Sequence, residues 1–232
     1  MLRSRLTAFI AAAALAGNVS AGAAPFTRTD DDTVCSWHKN TSNRIALTFD
    51  DGPNEKYTGE ILDILDVYDV RATFFVIGEY AELHPELVKR EIDSGHEVGN
   101  HTYSHINLVR AGDASVREEI RHTQEIIYES DEYMSRLIRP PEGKYSSRLL
   151  RFSREFDCRI VLWTVDTEDW RHTPSEKIYQ TVTESVKSGD IILFHDGIVG
   201  DSPTPEALRK LVPELQRRGF EFVTVSELMQ SS

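Results

Sequence analysis

The stretch Arg44-Ile45-Ala46-Leu47-Thr48-Phe49-Asp50-Asp51-Gly52-Pro53 joins a run of strand-forming residues to two adjacent acids and a turn. From this stretch onward, short β-branched or aromatic runs alternate with longer amphipathic stretches. This alternation is typical of repeated βα units, in which helices cover a parallel sheet. The predicted strands are residues 44–49, 72–77, 97–99, 137–139, 159–165, 190–194 and 221–225, and the predicted helices are residues 58–68, 79–94, 115–133, 175–187 and 204–217.

The number of predicted strands limits the type of sheet. Seven strands are one fewer than a complete eight-unit barrel contains, and the chain without the signal peptide expected below is shorter than the roughly 250 residues typical of that fold. We therefore predict an α/β fold built as a distorted, incomplete (β/α) barrel with about seven parallel strands.

The first residues have the pattern of a secretory signal peptide. Arg3 and Arg5 precede an apolar run over residues 6–15, and Ala21-Gly22-Ala23 is a small-residue cleavage site. We expect a signal peptide over residues 1–23, an N-terminal extension over 24–41 and one catalytic domain over 42–232, in a secreted, periplasmic or cell-wall-associated protein. An uncleaved anchor is the alternative, and no later segment is apolar enough to span a bilayer.

The composition restricts the partners. The sequence contains 26 Lys and Arg residues and 38 Asp and Glu residues, so the formal net charge is −12. A chain this acidic is a poor binder of nucleic acid. Cys35 and Cys158 are the only cysteines in the sequence. In an oxidising compartment they could form a disulfide that ties the N-terminal segment to the domain, or they could remain two thiols. We expect a monomer.

His101-Thr102-Tyr103-Ser104-His105 and the acids Asp50 and Asp51 together supply two imidazoles and two carboxylates. Two imidazoles and one carboxylate suit zinc or a similar divalent ion, and the second carboxylate can act as a base. The spacing of the two histidines would place both rings on one side of a helical turn. By itself the acidic pair could also be an ordinary turn, since Asp, Gly and Pro are common in turns.

The candidate residues follow different predicted strands. Because the C-terminal ends of parallel barrel strands share one face, side chains that are distant in sequence can converge there. The residues at these ends are Asp50 and Asp51 after the first strand, His101 after the third, Arg139 at the end of the fourth, residues 166–170 after the fifth and His195 at the end of the sixth.

Five short motifs resemble those of the polysaccharide deacetylase family, also called carbohydrate esterase family 4 or the NodB-homology domain, and they occur in the same order. The resemblance covers roughly residues 42–228 and implies a divalent metal and an N-acetylated glycan as substrate. The motifs are Thr48-Phe49-Asp50-Asp51-Gly52, His101-Thr102-Tyr103-Ser104-His105, Arg139-Pro140-Pro141-Glu142-Gly143, Asp166-Thr167-Glu168-Asp169-Trp170 and Leu193-Phe194-His195.

The resemblance implies roles for several ionisable residues of the motifs. Asp51, His101 and His105 would bind the metal, with Zn²⁺ first and Co²⁺, Ni²⁺ or Mn²⁺ as alternatives. Asp50 would be the general base and His195 the general acid. Two further residues would support this pair: Arg139 would orient Asp50, and Asp169 would raise the pKa of His195.

The resemblance also indicates residues that contact the substrate. The backbone N–H of Glu142 would stabilise the oxyanion, Trp170 would stack on a sugar ring, Leu193 would pack near the acetyl methyl group and Thr102 would touch the substrate. Glu142 stands where the family often has tyrosine, a difference that bears on substrate specificity more than on the chemistry. Tyr145 would supply the missing aromatic ring.

These observations predict an exported, metal-dependent N-deacetylase that releases acetate from N-acetylglucosamine-type residues. Peptidoglycan stands slightly ahead of chitin oligomers as the glycan. Three alternatives remain open: an O-acetyl xylan esterase, a small-molecule amidase on the same fold, and an inactive glycan-binding module.

Overall fold

The structure, a computed structural model, describes residues 33–36 and 42–230. The predicted signal peptide lies outside the described residues, and no described helix combines the length and apolar character needed to cross a membrane. The strands are β1 Val34–Cys35, β2 Arg44–Asp50, β3 Thr73–Val76, β4 Glu97–Asn100, β5 Leu137–Ile138, β6 Arg159–Val161, β7 Val165–Asp166, β8 Ile191–His195 and β9 Glu221–Phe222. The helices are α1 Tyr57–Val67, α2 Gly78–Leu83, α3 Pro85–Asp93, α4 Asp113–Asp131, α5 Ser147–Glu155, α6 Ser175–Ser185, α7 Thr204–Arg217 and α8 Val225–Gln230.

The described strands form one parallel sheet in the order β1-β6-β5-β4-β3-β2-β8-β7, and β9 pairs with β2. The register of β2 sets Phe49 beside Phe74 of β3 and Phe194 of β8. The Phe49 ring stacks on both, at centroid distances of 4.9 Å and 5.7 Å. The three rings therefore hold the central strands together under the helices.

The sheet curls strongly. β6 ends at Val161 and β7 begins at Val165, yet the two strands lie six positions apart in the strand order. Neighbouring strands are about 4.8 Å apart, so a flat sheet would separate these two by about 29 Å. Four residues of extended chain span at most about 14 Å. The two sheet edges must therefore approach each other, which confirms the predicted distorted, incomplete barrel.

The two faces of β2 lie in different environments. Ile45, Leu47 and Phe49 belong to the larger hydrophobic cluster, which also contains residues of α1 and α7. Ala46 belongs to a smaller cluster on the other face. Successive strand residues point to opposite faces, so Asp50 shares the face of Ala46. The helices thus cover the outside of the curled sheet, and Asp50 lies on its inner side.

The C-terminal helix α8 covers the N-terminal ends of the strands. The N–H of Val225 donates to Thr73 Oγ1 at the start of β3, and the N–H of Ser226 donates to Glu97 Oε2 at the start of β4, both at 3.0 Å. Met229 packs into the inner cluster. This end of the barrel is therefore closed, and the C-terminal ends of the strands carry the functional loops.

Several elements differ from the sequence prediction. The predicted strand over residues 159–165 is two strands, because residues 162–164 cross between the sheet edges. The predicted helix over residues 79–94 divides at His84, whose backbone leaves the helical region, and Pro85 begins the second helix. β1, α5 and α8 are additional elements, too short to produce a clear sequence period.

Both cysteines are buried thiols in the structure. Cys35 lies in the inner cluster, whereas Cys158 packs in a third cluster that contains residues of α4 and α5. The thiol of Cys158 donates to the carbonyl oxygen of Ser135 at 3.7 Å. The sequence left open a disulfide or two thiols, and the structure contains two thiols.

Phe49→Ala tests the role of the stacked rings in stability. We expect the free energy of unfolding to fall by about 3–5 kcal/mol, because the substitution removes a fully buried ring and leaves a cavity between Phe74 and Phe194. Urea unfolding followed by circular dichroism measures the change. Val67→Ala is the control, since Val67 is exposed on α1 and its loss should change stability by less than about 0.5 kcal/mol. Equal effects of both substitutions would contradict this account of the core.

Candidate active site

The C-terminal ends of the strands gather the candidate catalytic residues. Asp50 ends β2 and His195 ends β8, and the two residues are neighbours in the register of these strands. His101 directly follows β4, and Arg139 directly follows β5. Asp169 begins a short 3₁₀ turn after β7. Residues from five strand ends therefore surround one site.

Arg139 holds the carboxylate of Asp50. Its Nη1 donates to Asp50 Oδ1 at 2.7 Å and to Thr48 Oγ1 at 2.8 Å. The Thr48 hydroxyl donates to the carbonyl oxygen of Ile192 at 2.8 Å. The pairing of Arg139 with Asp50 that the motifs imply is thus present, and Thr48, to which the motifs assign no role, is a further member of this network.

The guanidinium of Arg139 is fully buried inside the curled sheet. Its Nε donates to the carbonyl oxygen of Val161 at 3.3 Å, and its Nη2 donates to that of Leu162 at 3.2 Å. It also lies 4.2 Å from the centroid of the Phe75 ring, in a cation–π contact. Burial lowers the pKa of Arg139 and the charge of Asp50 opposes this effect. An arginine in this setting remains a cation.

Asp51, His101 and His105 form a group that can hold a metal ion, since one ligand atom from each lies within 4.8 Å of the others. Asp51 Oδ1 is 3.3 Å from the Nε2 atoms of both His101 and His105. This oxygen is buried and makes no hydrogen bond of good geometry within the described part of the chain. A buried acceptor facing two imidazole nitrogens fits a divalent cation, which would satisfy all three groups.

A backbone hydrogen bond sets the ligand atom of His101. His101 Nδ1 lies 2.8 Å from the carbonyl oxygen of Arg139, and only a protonated Nδ1 can bond to a carbonyl. The lone pair of a neutral His101 is then on Nε2, which faces Asp51. Ligating histidines commonly have their other nitrogen held in this way. The loop after β5 therefore positions a metal ligand as well as the Asp50 carboxylate.

The histidine motif is not a helical turn, and that sequence prediction is wrong. Residues 101–107 form an irregular loop after β4. Thr102 and His105 have left-handed backbone conformations, with φ of 70° and 54°, and Asp51 has φ of 73°. Such conformations cost energy in non-glycine residues and cluster at functional sites. The two rings meet because the loop bends twice, so sequence spacing alone does not explain their convergence.

The three metal-group residues shift one another's pKa. Burial raises the pKa of Asp51, but the nearby His101 imidazole and the charges of His195 and His105 outweigh this effect and lower it to about 2. Burial lowers the pKa of His101, but Asp50 and Asp51 outweigh burial and raise it. Burial and the charge of His101 lower the pKa of His105. The negative potential that favours a proton on His101 also favours a divalent cation.

Asp169 holds His195 through both the side chain and the backbone. Asp169 Oδ1 is 2.7 Å from His195 Nδ1, and Asp169 Oδ2 accepts a hydrogen bond from the His195 N–H at 2.8 Å. The Thr204 hydroxyl also donates to Oδ2, at 2.6 Å. Burial lowers the pKa of His195, but the Asp169 hydrogen bond and the charges of Asp169, Asp50 and Asp51 together raise it to about 9. Nε2 of His195 is left as the proton-donating atom.

Close packing holds the Asp50-Asp51 turn in place. A side chain at Gly197 would collide with the backbone carbonyl of Asp51, so only glycine fits there. Asp196 is buried beside Gly52 and accepts a hydrogen bond from the Thr58 hydroxyl at 2.5 Å. Burial raises the pKa of Asp196 to about 7. The sequence reading missed Asp196, although its place directly after His195 could have drawn attention to it.

Glu142 lies at the rim of the site. Its backbone is left-handed, with φ of 58°. Its exposed carboxylate accepts hydrogen bonds from Lys144 Nζ at 2.6 Å and from Asn107 Nδ2 at 3.4 Å. The hydrogen bond and charge of Lys144 lower the pKa of Glu142. The carboxylate is therefore engaged by Lys144 and Asn107 and is not one of the three metal-group side chains.

The other candidate substrate contacts differ in exposure. Tyr145 and Trp170 are 42% and 53% exposed, so both present ring surface to solvent. Leu193 is buried and shares the face of β8 with His195, two residues further on. Their contacts with substrate stay predictions. Thr102 is fully buried, with its hydroxyl oxygen unpartnered in the described part of the chain, and this burial does not fit a direct substrate contact.

Comparisons with known proteins agree with this site. Residues 38–161 match the family model described as polysaccharide deacetylase. A peptidoglycan-N-acetylglucosamine deacetylase of Bacillus cereus is 39% identical over 193 residues, which cover 82% of this chain and 90% of the relative. A chitooligosaccharide deacetylase of Sinorhizobium fredii is 40% identical over 187 residues, which cover 76% and 87%. The crystal structure of the Bc1960 peptidoglycan N-acetylglucosamine deacetylase superposes with a TM-score of 0.82 at 36% identity and covers 90% of this chain and 98% of that one.

The curled parallel sheet, the Asp-His-His group and the two buried carboxylate pairs define the site of a hydrolytic α/β enzyme. The chain belongs to the polysaccharide deacetylase family. The resemblance that the five motifs indicate is therefore confirmed.

Substitution of a metal-group residue should abolish tight metal binding. We expect His105→Gln to weaken Zn²⁺ or Co²⁺ binding by at least about 100-fold, since even outer-shell changes at such sites cost 10–100-fold. Isothermal titration calorimetry on the apo-protein measures the affinity. His84→Gln is the matched control, because His84 is partly exposed between α2 and α3 and does not belong to the group. Undiminished metal binding by His105→Gln would rule out the Asp51, His101 and His105 site.

The proton affinity of His195 should depend on Asp169. In the metal-free protein we expect His195 to lose its proton as the pH rises through about 9. Asp169→Asn removes the main group that raises this pKa, so the midpoint should move down toward the ordinary histidine value of about 6.5. Long-range ¹H–¹⁵N spectra of the imidazole follow the titration. Asp166→Asn is the control, since Asp166 bonds to the N–H of Glu168, and it should leave the midpoint in place. An unmoved midpoint in Asp169→Asn would refute the assignment.

Proposed function

We propose that this protein is an exported, metal-dependent N-deacetylase that removes acetyl groups from N-acetylglucosamine-type residues of a glycan. The observation that carries the proposal is the arrangement of Asp50 and His195. They are register neighbours at the ends of β2 and β8, and each is held by its own buried partner, Arg139 or Asp169. A held base and a held acid beside a metal-binding group are the components that amide hydrolysis requires.

Asp51, His101 and His105 would hold the cation, and we propose Zn²⁺, because two imidazoles and one carboxylate suit zinc with positions left open. When bound, the cation supplies Lewis acidity toward the acetyl carbonyl and acidifies water at neutral pH. The two histidine Nε2 atoms and Asp51 Oδ1 already face one another, so little rearrangement of the chain is needed.

Asp50 would act as the general base. Arg139 binds its Oδ1, whereas its Oδ2 lies 3.8 Å from His101 Nε2 and so faces the metal group. This division leaves Oδ2 to accept the proton of the attacking water.

The loop after β5 would stabilise the oxyanion of the tetrahedral intermediate. Proline has no N–H, so Pro140 and Pro141 cannot donate, and Glu142 supplies the first backbone donor after Arg139. The left-handed backbone of Glu142 turns the chain at this donor. One fixed hydrogen-bond donor aimed at a developing oxyanion is worth about 10²–10³ in rate in another hydrolase. The Glu142 side chain is not needed for this step.

His195 would protonate the leaving nitrogen. An amine leaves poorly as an anion, so collapse of the intermediate requires an acid. Asp169 engages Nδ1 and keeps the imidazole protonated up to a pH of about 9, which leaves Nε2 to deliver the proton. Acetate and a free glucosamine-type amine are the products.

The proposed setting and substrate are supported by different observations. Export is supported by the signal-peptide pattern of residues 1–23, which lie outside the described part of the structure. The similar proteins include deacetylases named for peptidoglycan and for chitooligosaccharides, and both carry N-acetylglucosamine units. We propose peptidoglycan as the first substrate. The full set of base, acid and metal-group side chains favours catalysis over an inactive binding module.

Asp50→Asn tests the mechanism. We expect acetate release from peptidoglycan or chitooligosaccharides to fall at least about 100-fold, since loss of a general base costs 10²–10⁴ in rate. Zn²⁺ content per chain should be unchanged, because Asp51, His101 and His105 remain. The unpaired Arg139 should also lower thermal stability, so activity is measured below the unfolding temperature. Asp93→Asn, at the exposed end of α3, should behave like the wild type. Near-full activity of a metal-loaded Asp50→Asn protein would overturn the mechanism.

A further inference from the structure

We infer that a basic groove beside the metal group binds a carboxylate of the glycan and thereby selects peptidoglycan-type strands over neutral chitin oligomers. This inference rests on the proposed function and identifies Arg110 as the main residue of the groove that determines substrate specificity. The groove, called the Arg110 groove below, has a volume of about 500 Å³. It is lined by Asn107, Val109, Arg110, Gly143, Lys144 and Tyr145.

The Arg110 groove adjoins the catalytic residues. One wall comes from the loop that begins with the metal-group residues His101 and His105, and the other comes from the loop that follows Arg139. Asn107 Nδ2 donates to Glu142 Oε2 at 3.4 Å and so bridges the two walls. A glycan whose acetamide reaches the metal group would therefore extend a neighbouring unit into this groove.

Arg110 is exposed and makes no direct ion pair, although its more distant charge, after that of Lys144, helps to lower the pKa of Glu142. Within residues 33–36 and 42–230, no carboxylate lies within 4.0 Å of its guanidinium, and none of its side-chain nitrogens makes a hydrogen bond. Nearby arginines of the same region behave differently: Arg117 pairs with Glu155, and Arg148 pairs with Asp113. In a chain with a net charge of −12, an arginine with no direct ion pair beside the active site is available to bind an anion.

Lys144 adds a second cation to the groove. Its ion pair with Glu142 is exposed, with more than half of each side chain accessible, and exposed pairs of this kind contribute little to stability. Lys144 can therefore also turn to an incoming anion at little cost. Arg110, Lys144 and Glu142 together leave one net positive charge at the groove. Val109 and Tyr145 expose apolar surface there, against which a sugar ring can pack.

The chemistry of Arg110 favours a carboxylate. A guanidinium donates two parallel hydrogen bonds to a carboxylate, a geometry that hydroxyl and acetamide groups do not match. Chitin oligomers offer only those neutral groups. Peptidoglycan strands carry carboxylates next to N-acetylglucosamine, either on the lactyl ether of the muramic unit or, where that group is amide-linked, on the attached peptide. Both sources present the same anion to the groove.

The first test compares Arg110→Gln with the wild type on two substrates. One is chitotetraose in its fully N-acetylated form, and the other is glycan strands that bear free lactyl carboxylates. We expect the ratio of kcat/KM for the carboxylated strand over chitotetraose to fall about tenfold, which corresponds to about 1.4 kcal/mol. The change should appear mainly in KM and should shrink as salt is added, because the interaction is ionic and exposed. Arg110→Lys should recover part of the ratio, since it keeps the charge and loses the bidentate geometry.

Matched controls separate local recognition from net charge. Lys187→Gln removes the same charge from an exposed lysine just before β8, at the end of that strand opposite His195, and it should leave the ratio unchanged. Methylamidation of the substrate carboxylates should make the wild type and Arg110→Gln equal. A comparison of glycan strands that carry intact peptides with glycan strands stripped of peptides then distinguishes peptide carboxylates from lactyl carboxylates.

Two outcomes would overturn the inference. One is an unchanged ratio in Arg110→Gln, and the other is an equal loss on both substrates, which would indicate damage to the site in general. Failure of the proposed function would look different, because the metal-loaded wild type would then release acetate from neither glycan.

Discussion

The buried guanidinium of Arg139 is the constraint on which the site depends. A cation inside the curled sheet requires acceptors on every side. The acceptors are Asp50, Thr48 and two carbonyl oxygens at the end of β6. Breaking a buried pair of this kind costs about 3–5 kcal/mol, so the ends of β2, β5 and β6 are held at fixed separations. The backbone carbonyl of Arg139 also orients His101. One residue therefore positions both the base and a metal ligand.

The general base and the general acid are each held by a buried partner of opposite charge. Asp50 is paired with the permanent cation of Arg139, which holds one carboxylate oxygen and leaves the other facing the metal group, where it can accept a proton. His195 is paired with the buried carboxylate of Asp169, which favours the protonated imidazole that can donate one. Neighbouring strands of a parallel sheet place these two pairs side by side. Their different environments, held by buried hydrogen bonds, divide the roles of base and acid.

Local sequence patterns allowed the parallel sheet, the strand ends and the motif residues to be predicted, because alternation and strand–turn chemistry are properties of a few adjacent residues. They could not show that residues 159–165 form two strands at opposite edges of the sheet. Both halves have the same composition pattern, and only the closure of the sheet separates them. The helical turn assigned to His101 and His105 failed for a related reason, since two left-handed residues bend that loop.

The sequence by itself determined the chemical groups of this protein and their order along the strands: two acids where β2 ends, two histidines after β4, an arginine after β5 and a histidine at the end of β8. Only the tertiary structure decided which groups meet. The Asp169–Thr204 contact, the packing of Asp196 under Gly52 and the Arg110 groove all join residues far apart in the chain. Buried charged and polar groups need hydrogen-bond or ionic partners, and the curled sheet supplies these partners from distant parts of the chain. A local sequence pattern contains no information about which distant residues will be neighbours.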